Sequence, residues 1–156
     1  MTVATSASIA PEASVTPAPA PAVSPGHRLA PAAIGRRNEA PQVVWVQCPA
    51  WCAENHLAFA QVAVEDIVHT SEAEHLGVRS FLSRGLVFEM YATIKTDPAA
   101  DDPRLRRAHV VVDDGSGEDA VLTPDMADAA ADDLIAFAMR MKEAASIARA
   151  ANQAAA

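Results

Sequence analysis

Bulky apolar residues are spread unevenly along this chain of 156 residues. Through about residue 40, Ala, Pro, Ser and Thr dominate, as in Thr16-Pro17-Ala18-Pro19-Ala20-Pro21. Proline removes backbone donors and alanine buries little surface, so residues 1–40 are expected to form a disordered, partly polyproline-like arm. The first dense apolar run is Gln42-Val43-Val44-Trp45-Val46-Gln47, whose β-branched and aromatic residues predict a strand. Phe59, Val62, Val64, Ile67 and Val68 fit neither the helical nor the strand period, so residues 57–69 read as irregular or strand-like.

The second half is better patterned. Leu86 to Ile94 predicts a strand, Asp97 to Pro103 a loop, and His109-Val110-Val111-Val112 another strand. Asp114-Gly115-Ser116-Gly117 is a hairpin signal leading into Ala120-Val121-Leu122, which completes a small antiparallel meander. Thr123 then suits an N-cap and Pro124 the first helical position, with Asp125 and Asp128 at the positive end of the dipole. Met126, Ala130, Leu134, Phe137, Met141 and Ala145 recur at helical spacing and predict a core-facing stripe on a helix over about 124–150. The expected fold class is α+β: a small antiparallel β-meander with one long C-terminal helix packed on it, preceded by the disordered arm. Its expected boundaries are an arm at 1–40, a domain at 41–152 and a frayed tail at 153–156.

Composition tempers this picture. Half of the chain counts as hydrophobic (51%), yet aromatic residues make up only 4%, so large core anchors are few. A domain of about 115 residues with so thin a core would gain from a metal clip. The net charge is −8; Arg28, Arg36 and Arg37 against Glu12 and Glu39 leave the arm at +1, so residues 41–156 carry −9. An acidic domain is a poor match for a polyanion, although the arm's arginines and Arg104, Arg106 and Arg107 form two local basic clusters. A protein partner is therefore expected ahead of a nucleic acid. No stretch approaches the roughly 18–20 apolar residues of a spanning helix, and the first residues lack the basic and apolar regions of a secretory signal. A cytoplasmic location with reduced cysteines is the resulting expectation.

The candidate chemistry lies in Cys48-Pro49-Ala50-Trp51-Cys52-Ala53-Glu54-Asn55-His56, which contains both cysteines of the chain. Two thiolates with a nearby imidazole form a soft donor set of the kind zinc prefers. His69 completes a four-ligand set Cys48, Cys52, His56 and His69, and His75 is the alternative fourth ligand. Pro49 fixes the turn and is expected to let the following amides point at sulfur. Against metal stand two other readings: cysteines as small buried hydrophobes, and a redox or catalytic thiol pair. The redox reading is disfavoured by three residues between the cysteines, where the usual dithiol motif has two. A catalytic metal would need an open coordination position and a base, for which Glu54 is the candidate; no H-E-x-x-H motif or deaminase pairing of H-x-E with P-C-x-x-C is present. Asp113 to Asp119 lacks the alternating carboxylates of a calcium loop, and Gly115 and Gly117 do not make a phosphate loop. His109 reads as structural.

The motif Cys48-Pro49-x-Trp51-Cys52-x-x-x-His56, with a strand pair and Leu122-Thr123-Pro124 opening a helix downstream, resembles a family of small uncharacterised proteins from high-GC Gram-positive bacteria, classed as a domain of unknown function. The resemblance covers residues 42–150, most specifically 48–56 and 119–137. It implies an intact motif at Cys48, Cys52 and His56, and no activity. The residues themselves favour a non-enzymatic binding or regulatory module with structural zinc. A DNA-binding regulator is the alternative, and a metal-dependent hydrolase using Glu54 as base the weaker one.

Overall fold

A computed structural model describes residues 22–36 and 38–154. The first strand, β1 (His27–Ile34), lies inside the segment expected to be a disordered arm. That expectation is corrected for these residues; positions 1–21 and Arg37 fall outside the described residues. β1 pairs antiparallel with β2 (Gln42–Pro49), setting Ala30 opposite Val46, Ala32 opposite Val44 and Arg28 opposite Cys48. Pro31 is tolerated because β1 is an edge strand with β2 as its one ladder partner. The chain enters β1 through a turn in which His27 N–H donates to the Ser24 carbonyl at 3.1 Å, with Gly26 at φ 75°. Such a φ is open to glycine without strain, so Pro25-Gly26 is the local signal for the strand start.

The period-2 alternation of this hairpin produces the core. Ala30, Ala32, Val46 and Cys48 are buried, and Cys52 and Ile67 close over them from the following segment. Trp51 packs against Cys48 and Cys52, while Ile34 and Val44 pack around Ala32. Among the described residues, the largest side chain that is completely buried is that of Cys48. A core of alanines and thiols is consistent with the scarcity of aromatic residues.

Residues 57–68 are irregular apart from a 3-10 turn over Val64–Asp66. The second sheet is built around β5 (Leu86–Thr96). One side of β5 pairs with two short strands, β3 (His69–Thr70) and β4 (Glu74–Arg79), and the other with β6 (His109–Asp113), which carries β7 (Ala120–Leu122). The antiparallel meander is therefore present, with β3 and β4 added to it. Gly115 and Gly117 occupy positive φ in the β6–β7 turn, as its sequence requires.

α1 (Pro124–Ala154) starts where expected, with Met126 N–H donating to Thr123 Oγ1 at 3.3 Å as the N-cap bond. It runs four residues past the predicted end and into the expected tail, of which residues 155 and 156 lie outside the described residues. α1 meets the sheet at β6 and β7, yet none of its described residues is buried. The expectation of a core stripe is thus corrected: Met126, Leu134, Phe137 and Met141 are all about half exposed. The cause is geometric, since α1 is about 46 Å long whereas a five-residue strand such as β6 spans about 17 Å.

Candidate metal centre

Four segments bring the site together. Cys48 sits near the end of β2, where the alternation that buries Val46 also turns its thiol inward. The chain then folds back, and Cys52 N–H closes on the Pro49 carbonyl at 3.0 Å. That amide goes to a carbonyl where sulfur was expected, so Pro49 acts here by shaping the turn. Ala53 N–H donates to the Thr70 carbonyl at 2.9 Å, tying the residue after Cys52 to β3 and setting Cys52 beside His69. Ala33 N–H donates to the His56 carbonyl at 3.0 Å, so β1 holds the His56 loop in place. Arg28, also on β1, donates to the Cys52 carbonyl at 2.8 Å.

The ligand atoms of Cys48, Cys52, His56 and His69 lie within 4.8 Å of one another. His56 Nε2 is 3.5 Å from Cys48 Sγ and 3.6 Å from Cys52 Sγ. Bonds of about 2.3 Å to sulfur and about 2.05 Å to nitrogen, opened to the tetrahedral angle, would set these atoms about 3.6 Å apart. The two observed His56–cysteine distances match that spacing. His69 Nδ1 is buried with no hydrogen-bond partner, a condition rare for polar atoms that lack a ligand. The His56 and His69 rings meet edge to face, with centroids 5.1 Å apart. Both cysteines are free and buried.

Electrostatics agree with the geometry. Burial, with His56 alongside, lowers the His69 pKa to about 4, and burial lowers that of His56 as well. Both imidazoles are thus held neutral, the form that ligates metal. Burial and the neighbouring Cys52 push the Cys48 thiol up to about 11, with Arg28 offsetting part of the effect. The buried Cys48 thiol resists ionisation by itself, and a divalent cation bound to it would invert that preference. The residues present fit a soft divalent ion.

The other candidates fall elsewhere. His75 is on β4 and stacks on Tyr91 at 4.7 Å, outside the group that His69 joins with Cys48, Cys52 and His56. His109 is buried at the start of β6, with Nδ1 at 2.9 Å from the Arg107 carbonyl. Glu54 is exposed and lines an open cavity beside His56 with Phe59, Ile67 and Thr70. Arg104 forms a 2.6 Å ion pair with Asp102, and Arg106 donates to the Ala100 carbonyl at 2.7 Å. Sequence reasoning missed Arg28 and the backbone of β1 as supports of the site. The Pro25-Gly26 turn was the signal that could have marked them.

Residues 32–150 match the family described as Domain of unknown function (DUF6907). This chain belongs to that family. The match starts ten residues ahead of the expected boundary at 42 and so takes in the end of β1, where Ala33 holds the His56 loop. No curated protein and no solved structure matches the chain. Among the described residues, no helix is long and apolar enough to cross a membrane.

Proposed function

We propose that this protein is a non-enzymatic binding or regulatory module whose N-terminal half is clipped to its main sheet by a structural zinc ion. The observation that carries this reading is that four donor side chains of the protein, drawn from both sheets and the loop between them, lie within 4.8 Å of one another. Cys48 belongs to one sheet and His69 to the other, while Cys52 and His56 come from the loop between them. A closed tetrahedral set leaves no position for water or substrate, which separates structural zinc from catalytic zinc. Two thiolates and two imidazoles select zinc over the harder divalent ions. The thin core supplies the need, because metal binding in such a domain is folding free energy.

A cytoplasmic setting, where thiols stay reduced, suits the ligand set. The partner is expected to be a protein: residues 41–156 are strongly acidic, and Arg28, Arg104 and Arg106 are occupied by hydrogen bonds within the fold. The test is elemental analysis and thermal melting of untagged protein alongside Cys48→Ala and His69→Ala. One zinc per chain, lost in both variants together with a large fall in melting temperature, is the expected result. A folded, reduced protein without metal would overturn the reading, as would zinc loss that leaves the melt unchanged.

A further inference from the structure

The 31 residues of α1 carry more apolar surface than the sheet beneath them can cover. Leu134 is 47% exposed, Phe137 57% and Met141 53%. These three belong to a longer series: positions 127, 130, 134, 137, 141, 144, 148 and 151 are all apolar and alternate spacings of three and four. That spacing matches the seam of a two-helix coiled coil, with Leu134, Phe137 and Met141 as its large positions and alanine at the other five. The hydrophobic seam alone leaves the partner open. The charges beside it decide.

The half of α1 before residue 140 holds Asp125, Asp128, Asp132 and Asp133 with no basic residue, whereas the half from 140 onward holds Arg140, Lys142 and Arg149 against Glu143. The helix dipole favours such a gradient only within the first and last turns. Asp133 and Arg140 sit in the middle of α1, out of its reach, and both immediately precede a seam position, seven residues apart. In an antiparallel two-fold pair, equivalent flanking positions face one another across the seam. Asp133 of each copy would then meet the partner's Arg140, and both acidic halves would lie against basic halves. A parallel pair would set acidic half against acidic half.

We propose that α1 is a self-association surface, on which a second copy of this chain docks its own α1 in antiparallel orientation. The register that pairs Asp133 with the partner's Arg140 also layers Leu134 on the partner's Phe137 and Met141 on the partner's Ala130. Large residues thus meet large ones at the centre, and a long flexible side chain meets a small one further out, which fills the seam evenly. Ala130 is half-buried, and its small side chain suits it to face the longer Met141 of the second copy. The surface is built on α1 alone and does not depend on the zinc reading.

Sedimentation velocity on the full chain tests this at about 100 µM, where micromolar affinities are saturated. Twice the chain mass of 16.3 kDa is the expected result. Phe137→Asp should weaken association at least about tenfold, as loss of a central anchor does, while leaving metal content and helicity unchanged. Arg140→Asp should weaken it roughly three- to tenfold at low salt through two like-charge contacts, and Asp133→Arg added to it should restore association. A single-chain mass for the wild type would overturn the proposal and leave the seam to another protein or to none. Dimerisation unaffected by Phe137→Asp, or a charge swap that fails to restore it, would equally overturn it. Metal loss in Cys48→Ala speaks to the zinc reading alone, so the two can fail separately.

Discussion

The hairpin of β1 and β2 and the helix α1 make opposite use of their residues. β1 is rich in Ala and Pro, yet the hairpin it forms with β2 holds most of the buried hydrophobic residues and frames the candidate metal centre. α1 carries large apolar residues at helical spacing, yet none of its described residues is buried. Small residues suit the hairpin because the chain segments carrying Cys48, Cys52 and His56 must approach closely. Ala32 is fully buried where a larger side chain would push β1 away from β2 and Ile67. Amphipathic period predicts a helix and a sticky face, but what covers that face depends on the size of the surface beneath it.

The sharpest way to break the contrast is to remove a ligand. Cys48→Ala should abolish metal binding and cost several kcal/mol, on the scale of the whole domain's stability. The loss should fall on β1, β2 and β3 and leave the helicity of α1 largely intact, because the helix shares no residue with the site. Hydrogen exchange resolved along the chain would register this as faster exchange at residues 27–70 with little change beyond 124. Uniform loss across both regions would show that the site and α1 form one cooperative unit. His75→Ala, by comparison, should retain the metal.

Acid offers a second separation. In metal-free protein the folded pKa of His69 is about 4, well below its ordinary value of 6.5. The unfolded chain therefore binds the extra proton first, and stability declines as pH falls from about 6.5 toward 4, levelling off below that window. Melting of the metal-free form across this range should show the decline, and His69→Phe should reduce it, leaving the part due to His56. A pH-independent melt between those values would mean that His69 is not buried neutral in solution.

Less disruptive is a test of the small-residue core. Ala32→Leu overfills a closed site and should cost about 1–3 kcal/mol, measured by denaturant melts, with a matching fall in metal affinity because β1 holds the His56 loop. A neutral substitution would show that the hairpin opens readily and that the metal alone maintains it.

Legibility followed the same divide. The four ligands were readable because the donor types are specific and Cys48, Cys52 and His56 lie within nine residues. His69 was the first choice with His75 as its alternative, and the fold separates them by pairing His69 with Thr96 and leaving His75 stacked on Tyr91. β5, β6, β7 and the start of α1 followed from local signals that tertiary structure did not override. β1 was hidden because an Ala- and Pro-rich strand has low intrinsic preference and is stabilised by what it packs against. β4 was hidden for a related reason: all six of its residues are exposed, so it shows no inward-facing period.

The smallest effect probes the other side of the contrast. Thr123 caps α1 through its hydroxyl, and Pro124 follows at the position where a missing amide costs nothing. Thr123→Ala removes that acceptor and should cost about 1 kcal/mol of helix stability. In a helix docked on a core, the same loss would appear in the global melt. Because α1 touches the sheet near its start and buries no described residue, the cost should instead appear as fraying of its first turns, seen as a modest drop in helical circular dichroism with the melting of the metal site unmoved. If the global melt falls by the full amount, α1 is energetically coupled to the sheet despite its exposure. Repeating the measurement at tenfold dilution then identifies the route, since coupling through a second copy weakens with concentration and coupling within one chain does not.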